Sequence, residues 1–118
     1  MDDFFRDIFL AFVRVHLLYH AAEAPIYGVE MIEELARHGY QLSPGTLYPI
    51  FHSMEKLGYL VSERQVVCGK VRKYYRVTDA GRAALKRLRP QIRELVNEVL
   101  GPDDIAVSQE RTGEENKL

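Results

Sequence analysis

The amino-acid sequence predicts a mainly α fold with one small β-hairpin, of the α+β class. Three stretches carry this prediction: a helix with defined ends over 43–58, two alternating strands over 60–77, and a long apolar helix over 1–22. A chain of 118 residues with 47% hydrophobic content fits one domain with a modest core. At this size oligomerisation often adds stability.

The stretch 43–58 has the features of a short helix. Ser43 suits the N-cap, where its hydroxyl can accept a bond from the first turn, Pro44 suits the first helical position, and Gly58 should stop the helix. Pro49 is tolerable because the carbonyl that it would crowd belongs to the first turn. The apolar face predicted for the core comprises Leu47, Ile50, Phe51, Met54 and Leu57.

Residues 60–77 alternate in polarity around a short turn, which predicts a β-hairpin. The turn is placed at 68–70, and of the adjacent Tyr74 and Tyr75 we expect Tyr75 to face the core. A helix with a polar face followed by a basic hairpin is typical of a winged helix-turn-helix. The preceding helix is placed at 27–38. Its predicted core stripe comprises Val29, Ile32, Leu35 and Ala36.

Charge is distributed unevenly, although the whole chain carries a net charge of only −1. Residues 1–36 and 94–118 each carry −5, whereas 37–93 hold twelve basic and three acidic residues, a net charge of +9. DNA phosphates are bound by Lys and Arg placed beside the groove. The basic centre therefore predicts a DNA-binding unit over 23–78. It argues against the alternative of a winged-helix protein-interaction module without DNA binding.

The residues expected to contact DNA lie on the polar face of the helix over 43–58, the recognition helix of the predicted unit, and on the hairpin over 60–77, its wing. Hydroxyl and imidazole groups can donate to base edges and to phosphate oxygens. The groove set is Ser43, Thr46, Tyr48 and His52, and the phosphate-positioning set is Lys56, Lys70, Arg72 and Lys73. Lys70 and Arg72 are predicted at the wing tip. Since the groove set contains no arginine to read guanine, specificity is expected to depend on DNA shape and bridging water.

Several separate motifs resemble those of the PadR family of bacterial transcription regulators, in the same order, over about residues 8–100. The motifs are Tyr27-Gly28, Gly39-Tyr40, residues 42–49, Glu55 to Leu60, Gly69, Arg72 to Tyr75, and Thr78 to Arg82. The resemblance implies operator-binding repression, in some members relieved by small aromatic or cationic compounds. The single C-terminal helical segment is similar to that of the compact subgroup, in which the rest of the chain builds a dimer.

The two ends of the chain are predicted to form dimerisation helices. The helix over 1–22 is apolar around more than one face, and 79–100 carries an apolar stripe without an obvious partner. Packing across a two-fold axis would place two recognition helices about 34–36 Å apart. Thr78 suits the N-cap of the last helix, and Pro90 should break or kink it. The acidic stretch 101–118 lacks periodicity and is predicted to be a flexible tail.

Three phenylalanines of the first helix could bind an effector. Phe5, Phe9 and Phe12 could line a space between protomers where flat aromatic compounds stack. The alternative is that they form ordinary interface core. The chain has no tryptophan, so a pocket built on paired indoles is excluded.

A metal-responsive regulator is a further alternative, because His16 and His20 stand at i and i+4. This spacing places both imidazoles on one helix face, within reach of a single divalent ion. Glu23 or a residue from a second chain could complete the ligand set. Against this, paired histidines on an interfacial helix can simply be packing or hydrogen-bonded groups.

Other functional classes find little support in the sequence. There is no phosphate loop or nucleophile elbow, and His38 and His52 fit no catalytic motif. The single Cys68 allows no internal disulfide. The N-terminus lacks the basic region of a signal peptide, and two polar residues interrupt the apolar run over 8–19. A cytoplasmic, non-enzymatic protein without a membrane span or a required cofactor is expected.

Overall fold

A computed structural model describes residues 1–101 as four helices and a two-stranded antiparallel hairpin. The elements are α1 (Asp3–Glu23), α2 (Gly28–Arg37), α3 (Pro44–Lys56), β1 (Leu60–Val67), β2 (Lys70–Val77) and α4 (Asp79–Val99). This order is the predicted winged helix-turn-helix, with α3 as the recognition helix and β1–β2 as the wing. Residues 1–85 form one compact unit, and a second begins at Lys86. The predicted acidic tail from Pro102 onward lies outside the described residues.

Helices α2 and α3 end in the same glycine motif. Gly39 and Gly58 adopt φ angles of +91° and +87°, which residues with a Cβ rarely adopt. At the end of α3 the N–H of Tyr59 donates to the carbonyl of Met54 at 3.0 Å, and that of Gly58 to Glu55 at 2.9 Å. This pair of bonds satisfies carbonyls that the last turn leaves free. The predicted stop at Gly58 is confirmed.

The start of α3 differs in one respect from the prediction. Ser43 is the N-cap residue, but its hydroxyl caps no backbone N–H and instead donates to Thr46 Oγ1 at 3.4 Å. The Ser43 carbonyl accepts the N–H groups of Thr46 and Leu47. Pro44 at the first helical position supplies a pre-set φ, so α3 begins there without a side-chain cap.

The core is centred on the contact between Phe51 of α3 and Tyr75 of β2. Their rings are stacked, with centroids 4.3 Å apart and planes at 5°. Phe51 is fully buried and Tyr75 is buried, as the alternation of the strand predicted. The largest fully buried side chains around them come from α1, α2, α3 and β1: Val13, Leu17, Leu35, Leu47 and Leu60.

Two residues predicted for the core face solvent instead. Leu57 is 67% exposed because it is the C-cap of α3, where the chain already turns away. Val29 is 58% exposed, and the buried stripe of α2 is formed by Gly28, Met31 and Leu35. The predicted stripe was shifted toward the neighbouring one, because adjacent apolar stripes have similar periodicity in a helix of ten residues.

Helix α4 begins as predicted and continues further than expected. The N–H of Gly81 donates to Thr78 Oγ1 at 3.0 Å, which confirms the N-cap, and the Thr78 hydroxyl donates to the carbonyl of Gly58. Pro90 was expected to break or kink the helix, and the break is wrong, because α4 continues to Val99. A proline removes one helical donor, and the hydrogen bonds on either side of it can maintain the helix.

Large apolar side chains are exposed on α1 and at the end of the described chain. The exposed residues are Phe4, Phe5, Ile8, Phe12 and Tyr19 on α1, and Ile92, Leu95, Val96, Val99 and Leu100 on or just after α4. They belong to the two segments for which the sequence predicts dimer contacts. None of the helices within residues 1–101 has the length and apolar character needed to cross a bilayer.

Replacing Phe51 by Ala should lower the free energy of unfolding by about 3–5 kcal/mol, since it removes the largest fully buried side chain. Urea denaturation followed by circular dichroism measures this loss. Leu57→Ala, six residues away on the exposed side, is the matched control and should change stability by less than about 0.5 kcal/mol. Equal losses for the two variants would contradict the described core.

Candidate nucleic-acid interface

The recognition helix presents most of the predicted groove residues to solvent. Of the groove set, Ser43 and His52 are exposed and Thr46 is half-buried; Lys56, from the phosphate-positioning set, is also exposed. They lie on or beside α3, away from its buried face. The structure therefore places these hydroxyl, imidazole and ammonium groups along one accessible helix.

Tyr48 has a packing role that the sequence did not indicate. A Cβ added at Gly28 would lie 2.5 Å from both Cε1 and the phenolic oxygen of Tyr48, so the ring lies directly against the start of α2. Tyr48 is nevertheless 46% exposed. Its exposed part can still contact DNA, while the rest of the ring sets how closely α2 and α3 approach.

The wing turn is shorter than predicted. Cys68 and Gly69 have φ angles of 53° and 77°, and Lys70 already belongs to β2, paired with Val67. Positive φ at both central residues is the requirement of a type I′ hairpin turn. The predicted three-residue turn at 68–70 is thus a two-residue turn. Lys70 remains exposed beside it, close to its predicted position at the tip.

Arg72 does not extend freely from the wing tip. Its guanidinium carbon lies 4.2 Å from the centroid of the Tyr27 ring, and Nη1 donates to the phenolic oxygen of Tyr74 at 3.4 Å. The hydrogen bond to Tyr74 raises the pKa of Arg72 above its ordinary value. Tyr27 is the N-cap residue of α2. This aromatic clamp, which the sequence analysis missed, holds Arg72 beside the helix-turn-helix.

Lys73 is partly neutralised by Glu55, which connects α3 to the wing. The Glu55 carboxylate lies 3.7 Å from Lys73 Nζ and accepts hydrogen bonds from the hydroxyl and the backbone N–H of Ser62, the latter at 2.8 Å. These bonds, the Ser62 hydroxyl first, lower the pKa of Glu55 below its ordinary value. Lys73 is consequently a weaker candidate for phosphate contact than its charge alone indicated.

Arg64 is a basic residue that the predicted site omitted. It is exposed on β1, directly across from Lys73, and forms no salt bridge with any residue of the described chain. By contrast, Arg76 pairs with Glu63 on the neighbouring strand. Arg64 could have been identified from the sequence, because it lies in the alternating basic hairpin.

The three phenylalanines of the predicted effector site do not share one environment. Phe5 and Phe12 are exposed on α1, whereas Phe9 is half-buried with its ring centroid 5.0 Å from that of Tyr40. Phe9 therefore packs within its own protomer. Phe5 and Phe12 are the members that a second protomer or a ligand can reach.

The paired histidines are joined by a third one that the sequence analysis left without a partner. Ligand atoms of His16, His20 and His38 all lie within 4.8 Å of one another. His38, the C-cap of α2, brings its ring against α1, and Glu23, one of the two alternatives for completing the ligand set, is not part of this cluster. Burial lowers the pKa of His16, and the charges of His38 and His20 lower it further.

Together, α2, α3 and the β1–β2 hairpin define a winged helix-turn-helix protein. The profile of the family described as "Transcriptional regulator PadR-like family" matches residues 17–87, more than half of the chain. The chain belongs to this family and is a transcriptional regulator of the PadR type.

Individual relatives agree with this assignment. The sequence is 52% identical over 96 residues to the transcriptional regulator Rv3488 of Mycobacterium tuberculosis, covering 81% of this chain and 90% of that protein. A PadR family regulator from Eggerthella lenta has a similar structure, with a TM-score of 0.71, 32% identity, and coverage of 81% and 85% of the two chains. A PadR-like regulator from Bacillus cereus matches with a TM-score of 0.69, 26% identity, and coverage of 80% and 96%.

Replacing Glu55 by Gln should lower the free energy of unfolding at pH 7 by about 1 kcal/mol, because two charge-assisted bonds to Ser62 become neutral. The folded-state pKa of Glu55 lies below its ordinary value of 4.5. The contribution of ionised Glu55 to the free energy of unfolding is therefore complete above pH 4.5 and is lost as the pH falls through the folded-state pKa.

Thermal unfolding of Glu55→Gln between pH 7 and pH 3 should accordingly show a smaller loss of stability than wild type. Glu63→Gln, on the neighbouring strand and paired only at the surface, is the control and should retain the wild-type pH dependence. A wild-type profile for Glu55→Gln would contradict this account of the carboxylate.

Proposed function

We propose that the protein is a sequence-specific DNA-binding repressor that acts as a homodimer. The observation that carries this proposal is the exposed polar face of α3, bordered by exposed basic side chains of the wing. Both lie in the segment 37–93, whose net charge is +9. The relatives are named as regulators, and we infer a non-enzymatic role with DNA as the partner.

In this proposal α3 enters the major groove and the wing contacts the flanking backbone. Ser43, Thr46 and His52 supply donors to base edges, assisted by the exposed part of Tyr48. Phosphates are positioned by a second set: Lys56, Arg64, Lys70 and Arg72, with Lys73 contributing less because of Glu55. The stacking of Arg72 on Tyr27 fixes its guanidinium before DNA arrives, which reduces the entropy lost on binding.

Dimerisation is supported by the exposed apolar faces of α1 and of the end of α4. Monomeric soluble proteins rarely leave large apolar side chains exposed in contiguous groups. Packing these faces across a two-fold axis would bury them and would set the two recognition helices about one DNA turn, 34–36 Å, apart. In the same arrangement, an aromatic effector would reach Phe5 and Phe12 between the protomers.

DNA binding is tested by fluorescence anisotropy with the DNA upstream of the protein's own gene, a scrambled duplex, and two salt concentrations. Lys70→Ala should weaken binding to both duplexes and reduce the slope of log K against log salt by about one, because one phosphate contact is lost. Arg6→Ala, on α1, is the charge-matched control and should leave both values unchanged. His52→Ala should reduce the preference for the upstream sequence.

Failure of wild-type protein to bind either duplex would favour the protein-interaction alternative over DNA binding. Weak, equal binding to both duplexes would contradict an operator in that upstream region.

Dimerisation is tested by gel filtration with light scattering at micromolar concentration. Wild type should elute as a dimer, and Phe12→Glu should yield a monomer because it places a charge in the proposed α1 interface. Val29→Glu introduces the same charge at an exposed apolar position of α2 and should remain dimeric. A stable wild-type monomer would overturn the homodimer.

A further inference from the structure

Three imidazoles from two helices converge on one side of α1. The ring centroid of His38 lies 5.0 Å from that of His16 and 6.1 Å from that of His20. The paired histidines are half-buried, whereas His38 is exposed and leaves one side of the cluster open.

The cluster contains a polar atom without a partner. His20 Nε2 is shielded from solvent and forms no hydrogen bond with any residue of the described chain. Oε1 of Glu34 lies 3.9 Å from this nitrogen and 3.2 Å from Nε2 of His38. The other carboxylate oxygen of Glu34 accepts from Arg37, which holds the carboxylate at the edge of the cluster. A buried polar atom left unsatisfied is costly, and a cation would satisfy it.

We propose that His16, His20 and His38, with Glu34 as fourth ligand, bind one divalent transition-metal ion of the zinc class within a single protomer. Three imidazoles and one carboxylate are a donor set that Zn²⁺ accepts in tetrahedral geometry. Metal–nitrogen distances of about 2.0–2.1 Å place tetrahedral ligand nitrogens about 3.4 Å apart. The three histidine nitrogens already lie within 4.8 Å of one another. Glu34 Oε1 lies 3.9 Å from Nε2 of His20 and 3.2 Å from Nε2 of His38, so small side-chain rotations would bring the four ligands together.

The position of the site indicates what the metal does. It fixes α1 to the last turn of α2, immediately before the turn that leads into α3, and α1 also carries the exposed apolar face of the proposed dimer. An ion that restrains these two helices therefore acts on both the dimer and the recognition helix. This regulatory role rests on the proposed DNA-binding function, whereas metal binding itself does not.

Metal binding is tested on the full chain without a histidine tag, after treatment with a chelator. Isothermal titration with Zn²⁺ should give one ion per chain and a raised melting temperature, and Co²⁺ should give the visible absorption of a tetrahedral site. His38→Gln changes an exposed side chain, so the fold is retained. It should weaken Zn²⁺ binding at least about tenfold. His52→Gln, which changes an exposed histidine of α3, is the matched control for metal binding and should bind Zn²⁺ with the wild-type affinity.

Three results would overturn the site: no Zn²⁺ binding by wild type, unchanged affinity in His38→Gln, or one ion per two chains. Full affinity in Glu34→Gln would remove Glu34 as the fourth ligand.

The regulatory step is measured separately, as operator affinity with and without Zn²⁺. It should change about fivefold or more in wild type and remain constant in His38→Gln. Zn²⁺ binding without any change in operator affinity would refute the regulation alone. Zn²⁺ binding without DNA binding under any condition would refute the proposed function and leave the metal site intact.

Discussion

The stacking of Tyr75 on Phe51 is the contact on which the arrangement of the DNA-binding unit depends. The ring joins β2 to α3, and the backbone of Tyr75 exchanges two hydrogen bonds with Ile26, at 2.9 and 2.7 Å, in the connection between α1 and α2. Because the N–H and C=O groups of Tyr75 both bond to Ile26, they are unavailable to Ser62, the residue paired with Tyr75 on β1. The Ser62 N–H therefore points away from β2, where Glu55 accepts it. One residue of the wing thus fixes the linker, the recognition helix and the hairpin together.

Local contacts of the wing determine which of its positive charges are already paired. The net charge of +9 over 37–93 counts every basic side chain equally, but in the structure these side chains differ in their neighbours. Glu55 lies beside Lys73, Glu63 pairs with Arg76, and Arg72 stacks on Tyr27. A cation paired with a carboxylate must give up that interaction to bind a phosphate, whereas one stacked on an aromatic ring keeps its charge available. Long-range electrostatic attraction of an anionic partner depends on the net charge, whereas local contacts depend on which basic side chains are already paired with a carboxylate.

Helix α1 has two chemically different sides. Its exposed side carries phenylalanines such as Phe5 and Phe12, which become buried only when another molecule covers them. The side toward α2 carries His16 and His20 beside His38. A rigid helix transmits a change on one side to the other. The proposed dimer interface and the proposed metal site would therefore communicate through α1 without an additional domain.

The sequence by itself determined the features that depend on local chemistry. Gly58 stops α3, Thr78 caps α4, and strand alternation directs Tyr75 inward, because each follows from a few neighbouring residues. Only the tertiary structure decided that Val29 faces solvent, that Arg72 lies on an aromatic ring, and that His38 joins a pair of histidines distant in sequence. These contacts depend on how two elements approach and rotate against each other, and periodicity along one element does not encode that approach.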